Sequence, residues 1–198
     1  MTSPNFLRYA GWAAYLSAAV TLLMTMTGIM MFTNPIFWGV TDVLSVFQVA
    51  LMIPVALGLH LILRSQAPVL SLAASAIGIL GMLVKGIFQS LLVLGVLTYE
   101  QSSPASEGIA PGAIAIWLLL ANYLALRGEL FPRGLIWAGL ITGVGYLVYI
   151  VGLWTGGLQS PLLFVGSAVA YWGYPIWAVW LGRRMLRSRS LQAELQTT

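Results

Sequence analysis

The sequence predicts an all-α integral membrane protein, a bundle of six transmembrane helices with both termini on the cytoplasmic side. Three observations carry this. Of 198 residues, 60% are hydrophobic and only 7% charged, against about 25% charged in an ordinary soluble domain. Such a chain lacks the polar residues to cover a soluble surface. The apolar residues fall into runs of about 20, the length that crosses a bilayer, separated by short polar breaks. The arginines, finally, fall on alternate sides of those runs in a single consistent pattern.

Taken in order, the spans are 9–32, 42–63, 69–98, 108–126, 134–154 and 161–181, a single domain over 1–182 followed by a basic tail at 183–198. Span 1 exceeds the apolar core of a signal peptide, about 7–15 residues, and no small-residue cleavage site follows it, so it reads as a retained helix. Thr33-Asn34-Pro35 ends it. Span 2 ends at Arg64-Ser65-Gln66-Ala67-Pro68, and span 3 runs to Thr98. The stretch YEQSSPASEGIAPG (99–112) then reads as the longest loop, rich in Ser, Pro and Gly. Span 4 is short and is expected to begin near Gly108, with Pro111 in its first turn, where a missing N–H costs little. Trp38, Tyr99, Trp154 and Trp180 lie near span ends, as an interfacial aromatic belt requires.

Loops rich in Lys and Arg stay cytoplasmic. Arg8 precedes span 1, Arg64 follows span 2, Arg127 and Arg133 lie between spans 4 and 5, and Arg183, Arg184, Arg187 and Arg189 follow span 6. All fall on one side if both termini are inside, and the opposite loops carry Asp42, Glu100 and Glu107 instead. Splitting span 3 into two would put the tail arginines outside, against the rule. The basic tail is expected to anchor on anionic lipid headgroups, either as a plain positive-inside anchor or as a short amphipathic helix on the inner leaflet. The net charge of +4 is thus explained by lipid and topology, with no basic stripe for nucleic acid.

One residue breaks the apolar pattern. Lys85 is the only lysine and sits deep in span 3, close to the predicted midplane, where an ammonium costs about 2.5–3.5 kcal/mol on insertion scales. Such a residue faces a protein interior or a wet cavity. Ser71, Ser75, Gly78, Gly81, Lys85 and Gln89 recur at spacings of three and four, forming one small and polar stripe that should face other helices. Gln48 and Asp42 on span 2 are expected to complete a polar cluster with Lys85 and Gln89 in the outer half of the bundle. Lys85 is then either paired with Asp42 or neutral and hydrogen-bonded. The cluster reads as a packing device or as a ligand, substrate or proton site. Ser17, Thr21 and Thr25 make a second polar stripe on span 1, and Tyr146, Tyr149, Tyr171 and Tyr174 offer hydroxyls.

Other candidates have plain readings. Asp42 can equally act as an N-terminal carboxylate on span 2, favoured by the helix dipole. His60, the only histidine, reads as a packed or headgroup-level residue, since a metal or haem site needs more donors. Pro54 and Pro175 kink spans 2 and 6. Gly139 and Gly143 form a GxxxG pair that brings another helix close, within this chain or in a second copy as a homo-oligomer contact. There are no cysteines, and no Ser/His/Asp spacing, HExxH, phosphate loop or catalytic acid pair, which argues against an enzyme. Lys85 as a retinal Schiff base fits poorly, because it lies on the third of six spans. No cofactor or metal is implied.

Leu130–Gly152 (LFPRGLIWAGLITGVGYLVYIVG) and Tyr174–Leu186 (YPIWAVWLGRRML) resemble the bacterial multi-pass membrane family catalogued as domain of unknown function 4386. The likeness rests on Arg8-Tyr9-Ala10-Gly11 entering span 1, Pro132-Arg133-Gly134-Leu135 entering span 5, and Trp180-Leu181-Gly182 near the end. It implies a bacterial inner-membrane protein with no assigned activity and no catalytic residues. The two halves would have opposite orientations, as an inverted repeat requires, but share no sequence self-similarity. The functional expectation is therefore a non-enzymatic accessory or sensing bundle with a structural polar cluster around Lys85. The second is a small transporter, or a binder of lipid or another apolar ligand, with its site at Lys85, Gln89 and Gln48.

Overall fold

A computed structural model describes residues 4–31 and 33–187. Six helices are long and apolar enough to cross a membrane. They are α1 (Pro4–Met30), α2 (Ile36–Leu63), α3 (Pro68–Val93), α4 (Tyr99–Arg127), α5 (Arg133–Gly156) and α6 (Pro161–Arg187). No strand occurs among the described residues. The protein is an all-α, multi-pass bundle.

The helices form a closed ring in chain order. Each packs on the helix before and after it, and α6 returns to pack on α1. Short connections make neighbours antiparallel, so Arg8, Arg64, Arg127, Arg133, Arg183, Arg184 and Arg187 gather at one end of the bundle, called the basic end below. The ring is filled rather than hollow. Trp117, Tyr174 and Trp177 with Met52 and Met82 are fully buried at its centre, and the Trp117 and Trp177 rings meet edge to face at 5.8 Å and 87°.

Several helix ends differ from the sequence reading, each for a local reason. Span 2 begins at Ile36 rather than residue 42, because Asn34 Oδ1 accepts the Ile36 N–H at 3.0 Å and Pro35 sets the entry. Asp42 thus lies inside α2 and caps nothing. Span 3 ends at Val93, not 98. Gly95 adopts φ +69°, with Val96 N–H bonding Leu91 O at 2.9 Å and Gly95 N–H bonding Leu92 O at 3.0 Å, the glycine-terminated stop that satisfies the last carbonyls. Span 1 runs from Pro4 to Met30 instead of 9–32, and α6 continues past residue 181 to Arg187.

The largest difference is the stretch read as a loop. Residues 99–112 are helical, so α4 starts at Tyr99 and not near Gly108. Gln101 Oε1 accepts the Thr98 N–H at 3.0 Å at its start. From Pro104 to Ile109 the helix widens to i→i+5 bonding before the ordinary α-helix resumes at Ala110. Two of its serines are satisfied internally: Ser106 Oγ donates to Ser102 O at 3.0 Å, and Ser102 Oγ donates to Phe88 O of α3 at 3.3 Å.

Lipid gives helices no hydrophobic reason to associate, so contact rests on close packing of small residues. All six residues of the α3 stripe are buried. A Cβ on Gly78 would strike the Trp117 ring at 2.5 Å, and one on Gly81 would meet Ala113 at 2.6 Å, which sets the α3–α4 distance. Gly139 and Gly143 are buried against Asn122 and Leu119 of α4, so this pair is spent inside the chain. At the α5–α6 crossing, Gly152 lies on the Leu163 backbone and Gly166 on the Tyr149 backbone. Gly166→Ala is expected to push these helices apart and cost about 1–3 kcal/mol, seen as a lower midpoint in detergent thermal unfolding. Gly28→Ala, with open space around the position, should leave the midpoint unchanged. Equal effects would mean that the crossing does not depend on backbone contact.

Candidate functional site

The polar core of the bundle lies away from the basic end. Lys85 stands eight residues before the end of α3 at Val93, and Glu107 eight residues after the start of α4 at Tyr99. At 1.5 Å per residue both are about 12 Å from that end of the bundle. The shorter α3 moves Lys85 from the predicted midplane into the half distant from the basic end.

Lys85 is buried, and its Nζ lies 3.0 Å from Glu107 Oε1, the sole ion pair among the described residues. The same ammonium donates to Ser106 O at 3.4 Å. This carbonyl is available for a local reason. In the widened turn Ala110 N–H bonds Ala105 O, and the next residue, Pro111, has no N–H to give. Lys85 therefore answers a carboxylate and an orphaned carbonyl together. The second Glu107 oxygen accepts from Tyr149 O–H of α5 at 2.8 Å. Three helices are thus joined through one carboxylate. The Tyr171 ring of α6 packs edge-on against Tyr149 and Tyr146 at 6.4 and 6.1 Å.

Lys85 is not paired with Asp42. Gln89, one turn further along α3, donates to Asp42 Oδ1 at 2.6 Å, tying α3 to α2. Asp42 still lies within electrostatic reach of both Lys85 and Glu107. Gln48 does not join this cluster. Its Nε2 donates to Thr21 Oγ1 of α1 at 2.8 Å. Thr21 Oγ1 donates to Ser17 O at 2.8 Å, while Ser17 Oγ donates to Ala14 O at 2.9 Å. The Ser17 and Tyr174 hydroxyls are hydrogen-bonded to each other at 2.9 Å. The predicted four-residue cluster is therefore two linked units, Lys85–Glu107–Tyr149 and Gln89–Asp42, with a separate chain Gln48–Thr21–Ser17–Tyr174 joining α2, α1 and α6.

Glu107 and Ser106 are the members that sequence reading misses, while Tyr149 is one of the four tyrosine hydroxyls it offers. The sequence reading places Glu107 in a loop because the stretch 99–112 around it is rich in Ser, Pro and Gly, and composition does not register that a lysine stands opposite. The signal present was the apolar run 113–126, too short to cross a bilayer unless the helix began well before it.

Among the remaining residues, His60 Nδ1 lies 3.0 Å from Ser71 Oγ, a packed contact between α2 and α3. Asn122 Oδ1 accepts from Trp177 Nε1 at 3.2 Å, and Arg127 lies over the Tyr123 ring at 5.1 Å. Arg183, Arg184 and Arg187 are exposed on the last turns of α6, and Arg189 lies outside the described residues. Among the described residues no three of His, Asp and Glu gather as metal ligands would. A groove of about 300 Å³ at the end distant from the basic residues lies between Tyr99, Pro104, Leu153 and Trp154, and none of Lys85, Asp42 or Glu107 lines it.

No family model, curated protein or solved structure matches the chain.

Removing one partner of a buried pair leaves the other charge uncompensated, at about 3–5 kcal/mol. Glu107→Gln should therefore destabilise the protein by that order in detergent unfolding, and the double variant Glu107→Gln/Lys85→Met should recover most of the loss. Tyr149→Phe removes one hydrogen bond to a charged acceptor, about 1.5–3 kcal/mol. If Glu107→Gln costs no more than Asp42→Asn, the pairing is not what holds Lys85.

Proposed function

We propose that this is a non-enzymatic, multi-pass protein of a bacterial cytoplasmic membrane, an accessory or sensing bundle with both termini inside, in which the Lys85 network is a structural latch. The supporting observation is closure. Lys85 meets Glu107 and Ser106 O, the other Glu107 oxygen is taken by Tyr149, and Asp42 is held by Gln89. A site built for a ligand leaves polar groups aimed at it, whereas here each group is aimed at another of the same chain. In hydrocarbon, where no water competes, such a network fixes which helix faces meet and in what register. Orientation follows from the basic end, which the positive-inside rule assigns to the cytoplasm. The bacterial setting follows from the resemblance of its span 1 entry, span 5 entry and Trp180-Leu181-Gly182 ending.

A second reading is favoured by one feature. Asp42 lies beside the Lys85–Glu107 pair with Gln89 rather than a cation as its partner, so two carboxyl groups stand near one lysine in the outer half. A small transporter working here would take a cation or proton, entering beside Asp42 and Glu107, which are partly exposed.

Single cysteines distinguish these readings, since the chain has none of its own. Thr98→Cys should react with a membrane-impermeant thiol reagent only from outside, and Glu129→Cys only from inside. In a Lys85→Cys/Glu107→Gln protein that still inserts and purifies as wild type does, the latch reading expects no labelling at 85. Labelling there from the outer face would sink the latch and establish a wet path to the network.

A further inference from the structure

The outer surface of α6 carries a groove of about 570 Å³, within the range of small-molecule sites (about 300–1,000 Å³). Two rows at four-residue spacing line it, Trp172–Ile176–Trp180 and Pro175–Val179–Arg183, and Leu22 of α1 forms the far wall. From Trp172 to Arg183 the groove runs about 16 Å by helical rise, close to half the hydrocarbon thickness of a bilayer, about 15 Å. Its chemistry is graded along that length. The body is apolar, Trp180 lies one turn from the basic end, and the exposed guanidinium of Arg183 closes it, making no ion pair or hydrogen bond among the described residues. Arg187 follows one turn on.

We infer that this face is a site for one anionic phospholipid of the leaflet at the basic end, its phosphate on Arg183 and one acyl chain along the groove. The occupant follows from charge and length together. Arginine matches a phosphate in its donor geometry, tryptophan suits the headgroup boundary, and the apolar floor has the span of one leaflet. A symmetric second copy seated on the same face would bring Arg183 and Arg187 of both chains together, and like charges across an interface oppose association. The pairing inside the Lys85 network plays no part in this inference.

The test is native mass spectrometry of the full-length protein released from detergent, loaded with phosphatidylglycerol or phosphatidylcholine of identical acyl chains. The wild type should retain phosphatidylglycerol over phosphatidylcholine by about fivefold, the ratio that one basic residue beside an anionic headgroup supplies. Arg183→Gln should abolish the preference and leave weak retention of both lipids. Val179→Trp, which fills the groove without touching Arg183, should lower retention of both. Arg187→Gln is the control for diffuse attraction and should keep most of the preference. Equal retention of the two lipids by the wild type overturns the proposal. So does an Arg187→Gln loss as large as that of Arg183→Gln, and so does a lipid-free dimer that Val179→Trp dissociates.

Discussion

A lysine carried into hydrocarbon must bring its counter-charge along. That constraint organises the half of the bundle distant from the basic end. Lys85 requires an acid at its own depth, Glu107 provides it, and Glu107 can do so only if residues 99–110 are helical. The helix in turn tolerates Pro104 and Pro111 by widening, which leaves the Ser106 carbonyl without a donor and directed to Lys85. Charge, backbone irregularity and helix length are thus one arrangement. The π-type turn is not a defect beside the site but the means by which α4 presents both a carboxylate and a carbonyl to the same ammonium.

The rest of the ring is held by different physics. Between apolar helices in lipid, dispersion rises steeply with close approach, and small residues permit it. Glycines at α3–α4, α4–α5 and α5–α6 bring backbones or large rings into contact, with Trp117 seated on Gly78 and Gly166 on the Tyr149 backbone. Polar pairs then choose among the close-packed arrangements. Gln89 to Asp42, Gln48 to Thr21, Tyr149 to Glu107 and Trp177 to Asn122 each join two helices, and each would be left unpaired by a rotation of either one. Packing supplies proximity and the hydrogen bonds supply register.

The two ends of the molecule therefore differ in kind. One is closed by an internal network whose groups answer one another. The other gathers arginines around a surface that continues into the apolar groove of α6.

The sequence by itself determined the class, the number of helices and the polarity of charge between the two ends, because these depend on composition summed over many residues. It also determined the face of α3 that turns inward, since spacings of three and four are a property of the helix alone. Tertiary structure decided the partners. Asp42 and Glu107 were both within chain reach of Lys85, and only the placement of α4 against α3 selects Glu107. The same placement turned a polar loop into a helix. A run containing Ser, Pro and Glu is unfit for a membrane when taken alone, and becomes fit when an ammonium and a neighbouring carbonyl stand opposite it. Hydropathy scores residues one at a time, whereas the free energy of a buried charge belongs to the pair.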